Sequence, residues 1–192
     1  KSQSSRNTAS ENFRTAKNAI LFTSDLSARG IDYPDVTSVI QVGMPESRDQ
    51  YIHRLGRTAR AGREGTGLLV LLPFESRFIS ELRGLNVPMD AESTKVIEEP
   101  YDQPEWMMRN FARIQNGGNK LASSAQLAYV AFLGYYLGQV KRIRCNKTDI
   151  VSISNEFSEA MGLSQVPAMP PKLISKMKLS GVPGVSVDDD IE

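Results

Sequence analysis

Three short apolar runs constrain the fold more than any other feature: Ala19–Thr23 (AILFT), Val36–Val42 (VTSVIQV) and Leu68–Leu72 (LLVLL). Each has the length of a strand, and AILFT and LLVLL lack the alternation of a half-solvated strand, as burial on both faces of a parallel sheet requires. A polar helix over Ser2–Lys17, with Phe13 facing inward, precedes them. Gly43-Met44-Pro45 ends the second run, and a basic helical pattern starts near Ser47 or Arg48. A loop containing Gly62, Arg63, Gly65 and Gly67 leads to the third run, and Glu75–Leu82 reads as a short amphipathic helix. Strand, helix and strand joined by short glycine-rich connections predict an α/β parallel sheet with helices on both faces. Three strands are fewer than a doubly wound domain normally has, and the chain opens without methionine inside a helical pattern. The expectation is an N-terminally truncated domain.

The pattern changes after Gly84. Asn86-Val87-Pro88, Glu98-Glu99-Pro100 and Asp102-Gln103-Pro104 mark a proline-punctuated acidic connector. Beyond it no strand signal remains, and helices are predicted over Glu105–Ile114, Lys120–Val140, Lys147–Met161 and Pro171–Leu179. The expected organisation is a partial α/β domain over 1–87, a linker over 88–104, an all-α extension over 105–180 and a disordered tail over 181–192.

Composition narrows the chemistry. With a single cysteine, Cys145, and a single histidine among 192 residues, an internal disulfide and a multi-cysteine zinc site are excluded, and no metal ligand is assigned. A net charge of +1 means that affinity for nucleic acid must come from local basic patches. One such patch is Tyr51–Arg60 (YIHRLGRTAR), which holds three arginines and no carboxylate. As one continuous helix it would stack His53, Arg57 and Arg60 along one face and set Tyr51, Leu55 and Thr58 opposite. Two guanidiniums a turn apart form a fork for phosphate oxygens; the plain alternative is a solvated basic face. A second patch is the window Trp106–Thr148, free of acid, in which Arg109, Arg113, Lys120, Lys141, Arg142, Arg144 and Lys147 alternate with aromatics. Such a window suits single-stranded RNA, although Tyr129, Phe132 and Tyr136 also read as a core stripe at helical spacing. Leu121–Val140 carries no charge, but its serines, glutamines and tyrosines make it a poor membrane span, and no membrane is expected. Between the patches, Ser24–Asp32 (SDLSARGID) follows a strand end, where ligands bind in open parallel sheets. There Gly30 would allow close backbone approach and Asp32 would accept from a sugar hydroxyl.

Taken together, residues 3–82 resemble the second RecA-like domain of the DEAD-box RNA helicases. Gln3-Ser4-Ser5-Arg6 is similar to the family's Q-x-x-R motif, and Ser24–Asp32 to its motif V, with serine where threonine is usual. His53–Arg60 matches its motif VI, H-R-x-G-R-x-x-R, without a gap. The helical region more loosely resembles the C-terminal extension of fungal mitochondrial DEAD-box proteins that assist intron folding. The resemblance implies that Arg57 and Arg60 contact the ATP phosphates, Arg60 as the arginine finger, and that His53 pairs with an acidic motif of another lobe. It implies further that Asp32 and Gly30 line the ATP site, that Gln3, Arg6, Ser24 and Gly30 hold the RNA backbone, and that Asp25 and Arg29 brace their loop. Lys141, Arg142 and Arg144 would add RNA contacts.

No phosphate loop, D-E-A-D, S-A-T or motif IV segment occurs in this sequence. The Mg2+ ligands would therefore lie in a missing N-terminal RecA-like domain, and this chain alone would be inactive. The expected whole is a monomeric ATP-dependent RNA helicase, acting on short RNA duplexes in RNA folding or intron splicing. By the same resemblance it is placed in the mitochondrial matrix, with nucleus or cytoplasm as the alternative. A non-enzymatic RNA-binding or chaperone module, and a DNA helicase with the same core, are the competing readings.

Overall fold

The computed structural model describes residues 2–25, 33, 35–98 and 102–188. The chain divides into two units, Lys1–Leu85 and Asn86–Glu192.

In the first unit, helix α1 (Gln3–Thr15) is N-capped by Ser2, whose hydroxyl accepts from the Ser5 N–H at 3.2 Å. Tyr33 ties down its far end: the phenol donates to Ser10 Oγ at 2.9 Å, and its ring meets Phe13 edge-on at 5.1 Å. Strands β1 (Ser38–Val42) and β2 (Thr66–Val70) pair in parallel, Ser38 opposite Thr66 and Val42 opposite Val70. Helix α2 (Arg48–Leu55) connects them and packs on β1. Its Tyr51 ring is buried, and the Tyr51 carbonyl accepts from the buried Gln41 side chain of β1 at 3.2 Å. The expected parallel strand–helix–strand unit is therefore present.

One expected strand of this unit is absent. Ala19–Thr23 forms no strand, and within it Phe22 is 93% exposed. Among the described residues β1 and β2 pair only with each other, so no neighbour offers this run a ladder of backbone hydrogen bonds. Glu75–Leu82 is helical as expected, within a longer 3-10 helix, Pro73–Leu82. The Glu75 carboxylate is fully buried. It accepts from the Met44 N–H at 2.5 Å and from the Leu72 N–H at 2.7 Å, tying the start of this helix to the segment after β1. Phe78, three residues on, is buried with it.

The second unit is all-α. A short helix α3 (Ala91–Glu98) lies inside the expected linker. Asp90 starts it by accepting from the backbone and hydroxyl of Ser93, and these bonds hold its carboxyl below the usual range. Then follow α4 (Glu105–Gln115), α5 (Lys120–Ile143), α6 (Lys147–Ala160) and α7 (Pro171–Met177). Asn119 caps α5, and a reciprocal Asn146–Asp149 box caps α6. Helix α5 packs on α6 and α4. Tyr129, Leu133 and Tyr136 of α5 and Ile150 and Val151 of α6 are all buried, and Phe132 stacks on Phe157 at 4.2 Å. The aromatic stripe of α5 is thus mainly core. No described helix is long and apolar enough to cross a membrane.

The tail departs from expectation over 181–188. Met169 donates its N–H to the Ser186 carbonyl and accepts from Asp188 N–H, both at 3.0 Å, while Asn155 donates to the Gly184 carbonyl. Turns at Gly181 and Gly184, both with positive φ, bring the chain back to make these bonds. Residues 189–192 are outside the described part.

Burial pushes the Tyr129 phenol above its ordinary value. The folded chain therefore keeps that proton to higher pH than the unfolded chain. The corresponding stability is complete below about pH 10 and is lost as pH rises through the folded value. Urea unfolding between pH 8 and pH 11 should show this decline, and Tyr129→Phe should flatten it.

Candidate phosphate and RNA-binding site

The basic segment is built in two pieces, not as one helix. Helix α2 starts at Ser47, whose hydroxyl accepts from the Gln50 N–H at 3.1 Å, and it ends at Leu55. Gly56 closes it by donating to the Ile52 carbonyl at 2.8 Å; Arg57 and Thr58 then bond three residues back, to Arg54 and Leu55, at 3.1 Å. Ala59 and Ala61 adopt φ of 55° and 53°. Arg60 accordingly lies beyond the helix, and the expected single face carrying His53, Arg57 and Arg60 does not exist. Two features account for the early stop. The Thr58 hydroxyl donates to the Val36 carbonyl at 2.5 Å, pulling the turn toward the strand entrance. Across from it, Gly65 runs so close to Thr58 and the Ala59 nitrogen that a Cβ would overlap both. Gly67 passes Leu55 equally closely.

The two arginines are nonetheless held alike. Arg57 Nε donates to the His53 carbonyl at 3.2 Å, and Arg60 Nε donates to the Gly56 carbonyl at 2.8 Å. Both residues are half-buried, and His53 is exposed. Each guanidinium is thus steered from one edge by a carbonyl four residues back. Of the residues expected opposite, Tyr51 and Thr58 are buried and Leu55 is half-buried.

Of the loop residues, Ser24 is exposed and Asp25 half-buried, whereas Arg29, Gly30 and Asp32 lie outside the described residues. Asp25 binds Arg54 through both carboxylate oxygens, at 2.6 Å to Nε and 2.6 Å to Nη2. This partner of Asp25 escaped sequence reasoning. The only signal was Arg54's place beside His53 in an otherwise assigned motif. On α1, Gln3 and Arg6 are three residues apart, hence on one side of the helix. Gln3 is exposed and donates to Asn7 Oδ1 at 2.9 Å, while Arg6 is half-buried, its Nε buried without an acceptor among the described residues.

In the second unit Lys141, Arg142 and Arg144 gather at the C-terminal end of α5. Lys141 and Arg144 are exposed, and Arg142 donates to Gln139 Oε1 at 2.8 Å. Cations are favoured at helix C-termini for the helix's own sake, which gives this cluster a structural reason as well. Elsewhere in the acid-free window two cations are already engaged. Arg109 pairs with Glu105 at 2.6 Å, and Lys147 donates to the Lys178 carbonyl at 2.7 Å. Among the described residues no group of His, Cys, Asp or Glu is arranged to hold a metal ion.

Residues 1–62 match the family described as helicase conserved C-terminal domain, a stretch that takes in α1 and His53–Arg60. Over 97% of its length the chain is 44% identical to DEAD-box ATP-dependent RNA helicase 25 of Arabidopsis thaliana. The chain belongs to the DEAD-box RNA helicases. It covers 31% of that relative, and 32% of the ATP-dependent RNA helicase MSS116, mitochondrial, of Phaeosphaeria nodorum, to which it is 37% identical over 97% of its own length. This helicase segment therefore spans about a third of the relatives' length. The solved Mss116p DEAD-box helicase domain 2 bound to an RNA duplex shares its fold, with a TM-score of 0.71 at 24% identity over 98% of this chain and 73% of that one. A RecA-like sheet unit followed by an all-α region is thus the architecture of this DEAD-box segment.

Proposed function

We propose that this chain is the second lobe, with a helical extension, of an ATP-dependent RNA helicase that binds ATP and RNA between two RecA-like domains and unwinds short duplexes. The observation that carries the reading is the intact His53–Arg60 motif, with two half-buried arginines steered from their Nε edges by carbonyls four residues back. A guanidinium brought to the transferring phosphoryl group offsets the negative charge that develops there. In this reading Arg57 and Arg60 face the β- and γ-phosphates, His53 meets an acidic group of the other lobe, and Asp32 and Gly30 line the nucleotide. Gln3, Arg6, Ser24 and Gly30 take the RNA sugar-phosphate backbone, which gives binding without sequence readout. In this reading Mg2+ enters with ATP, and its carboxylate ligands are assigned to the other lobe. In the full-length protein, RNA should stimulate ATP turnover and turnover should accompany strand separation. RNA binding with no turnover under any RNA load would leave a chaperone-like binding module instead.

Lys141, Arg142 and Arg144 extend the RNA surface in this reading. Removing the residues beyond Pro100 from the full-length protein should weaken RNA affinity and flatten its dependence on salt, because fewer counterions are released on binding. An unchanged salt slope in filter-binding titrations would remove the extension from the RNA site. The likeness to the relative named as mitochondrial supports a mitochondrial place, while the matrix and a part in intron folding rest on the family resemblance alone. Cell fractionation with the full-length protein tests that placement.

A further inference from the structure

The Asp25–Arg54 pair joins two segments that the functional reading treats separately. Asp25 directly follows Ser24, the residue assigned to RNA. Arg54 lies in α2, and its backbone carbonyl accepts the Arg57 N–H at 3.1 Å, the first bond of the turn that presents both phosphate-binding arginines. The side chains meet in a fork, Nε to Oδ1 and Nη2 to Oδ2, each at 2.6 Å. Two parallel charge-assisted bonds fix orientation as well as distance, which a single contact does not. The side chains are 25% and 37% exposed, so water and salt screen the pair less than a surface contact. The chain at Ser24–Asp25 is thereby anchored to the last turn of α2, from which the turn carrying Arg57 leads on.

We propose that Arg54 and Asp25 are positioning residues that transmit RNA engagement at Ser24 to the phosphate-binding turn, so that ATP turnover responds to RNA through this pair. The proposal rests on the assignment of Ser24 to RNA and of Arg57 and Arg60 to phosphate. A clamp serving stability alone would, when broken, lower every activity together. A transmitting pair, when broken, separates them.

The test uses the full-length protein with Arg54→Lys, which keeps the charge but loses the fork, with Asp25→Asn, and with the double variant. ATP turnover is measured with and without single-stranded RNA, alongside thermal melting. RNA stimulation should fall about tenfold in each single variant, a size usual for coupling between sites, while turnover without RNA holds. The double variant should lose no more than the worse single, because both act through one contact. Undiminished stimulation, equal loss of RNA-free and RNA-stimulated rates, or multiplied losses in the double variant would each overturn the proposal. Should Asp25→Asn not fold, Asp25→Glu takes its place beside Arg54→Lys, with the same expectations. Arg60→Ala is run in parallel to separate the two failures. Turnover surviving in Arg60→Ala defeats the functional assignment itself; turnover lost there, with Arg54→Lys fully stimulated, defeats only the transmission.

Discussion

Arg60→Ala in the full-length protein should, on the proposed function, lower RNA-stimulated ATP turnover about a thousandfold or more, the usual worth of a guanidinium at a transferring phosphoryl group. RNA affinity should change little, since the RNA contacts are assigned to Gln3, Arg6 and the Ser24 loop. The split between the two readouts is the informative part. The Arg60 backbone lies after the helix, in a turn that the Thr58–Val36 bond holds without the Arg60 side chain. Melting behaviour should accordingly match the parent. Steady-state ATPase and fluorescence titration of labelled RNA decide the matter, and turnover within tenfold of the parent would falsify the finger assignment. Arg60→Lys should not rescue the rate: an ammonium lacks the planar fork and its Nε donor, which is the atom bound to Gly56.

Glu75→Ala should be among the most destabilising single changes in the first unit. The carboxylate is buried and takes the N–H groups of Met44 and Leu72, which no longer have it as acceptor once it is gone. A buried donor deprived of its acceptor costs about 1–3 kcal/mol, and with Leu72 itself exposed a loss of roughly 1–3 kcal/mol or somewhat more is expected. Glu75→Gln should fall between the parent and Glu75→Ala, because its amide oxygen can keep one donor while its NH2 group faces the other. Urea unfolding followed by circular dichroism measures both. A Glu75→Ala midpoint matching that of exposed Glu81→Ala would show that the two N–H groups find other acceptors.

The second unit was readable because its signals are local. Asn119 and the Asn146–Asp149 box mark the starts of α5 and α6, and Arg144, in left-handed conformation at the end of α5, marks a stop that periodicity alone leaves open. The failures share the opposite property. Ala19–Thr23 has strand composition, but a strand exists only where a neighbour takes its hydrogen bonds, and composition carries no record of the neighbour. Arg57, Ala59 and Arg60 have good helix propensity, yet the helix ends before them because Thr58 reaches a carbonyl 22 residues earlier. Glu75 reads as an ordinary residue on a polar face, since its two partners become visible only once β1 and the 3-10 helix are placed. The site shows the same division. The spacing of His53, Arg57 and Arg60 suggested a phosphate-binding face and the motif resemblance supplied the ATP chemistry, whereas the Asp25–Arg54 fork depends on two segments meeting in space.

Ala59 and Ala61, the left-handed residues on either side of Arg60, have one more implication. An L side chain accepts that backbone region only at a free-energy cost, so the surrounding turn must impose it, and the chain there has few alternative shapes to sample. Much of the ordering that a flexible arginine loop would undergo on meeting a triphosphate is thus completed during folding. On the proposed function, nucleotide would find the guanidinium's backbone support already in one arrangement, which favours a fast, preorganised encounter over slow rearrangement of the loop.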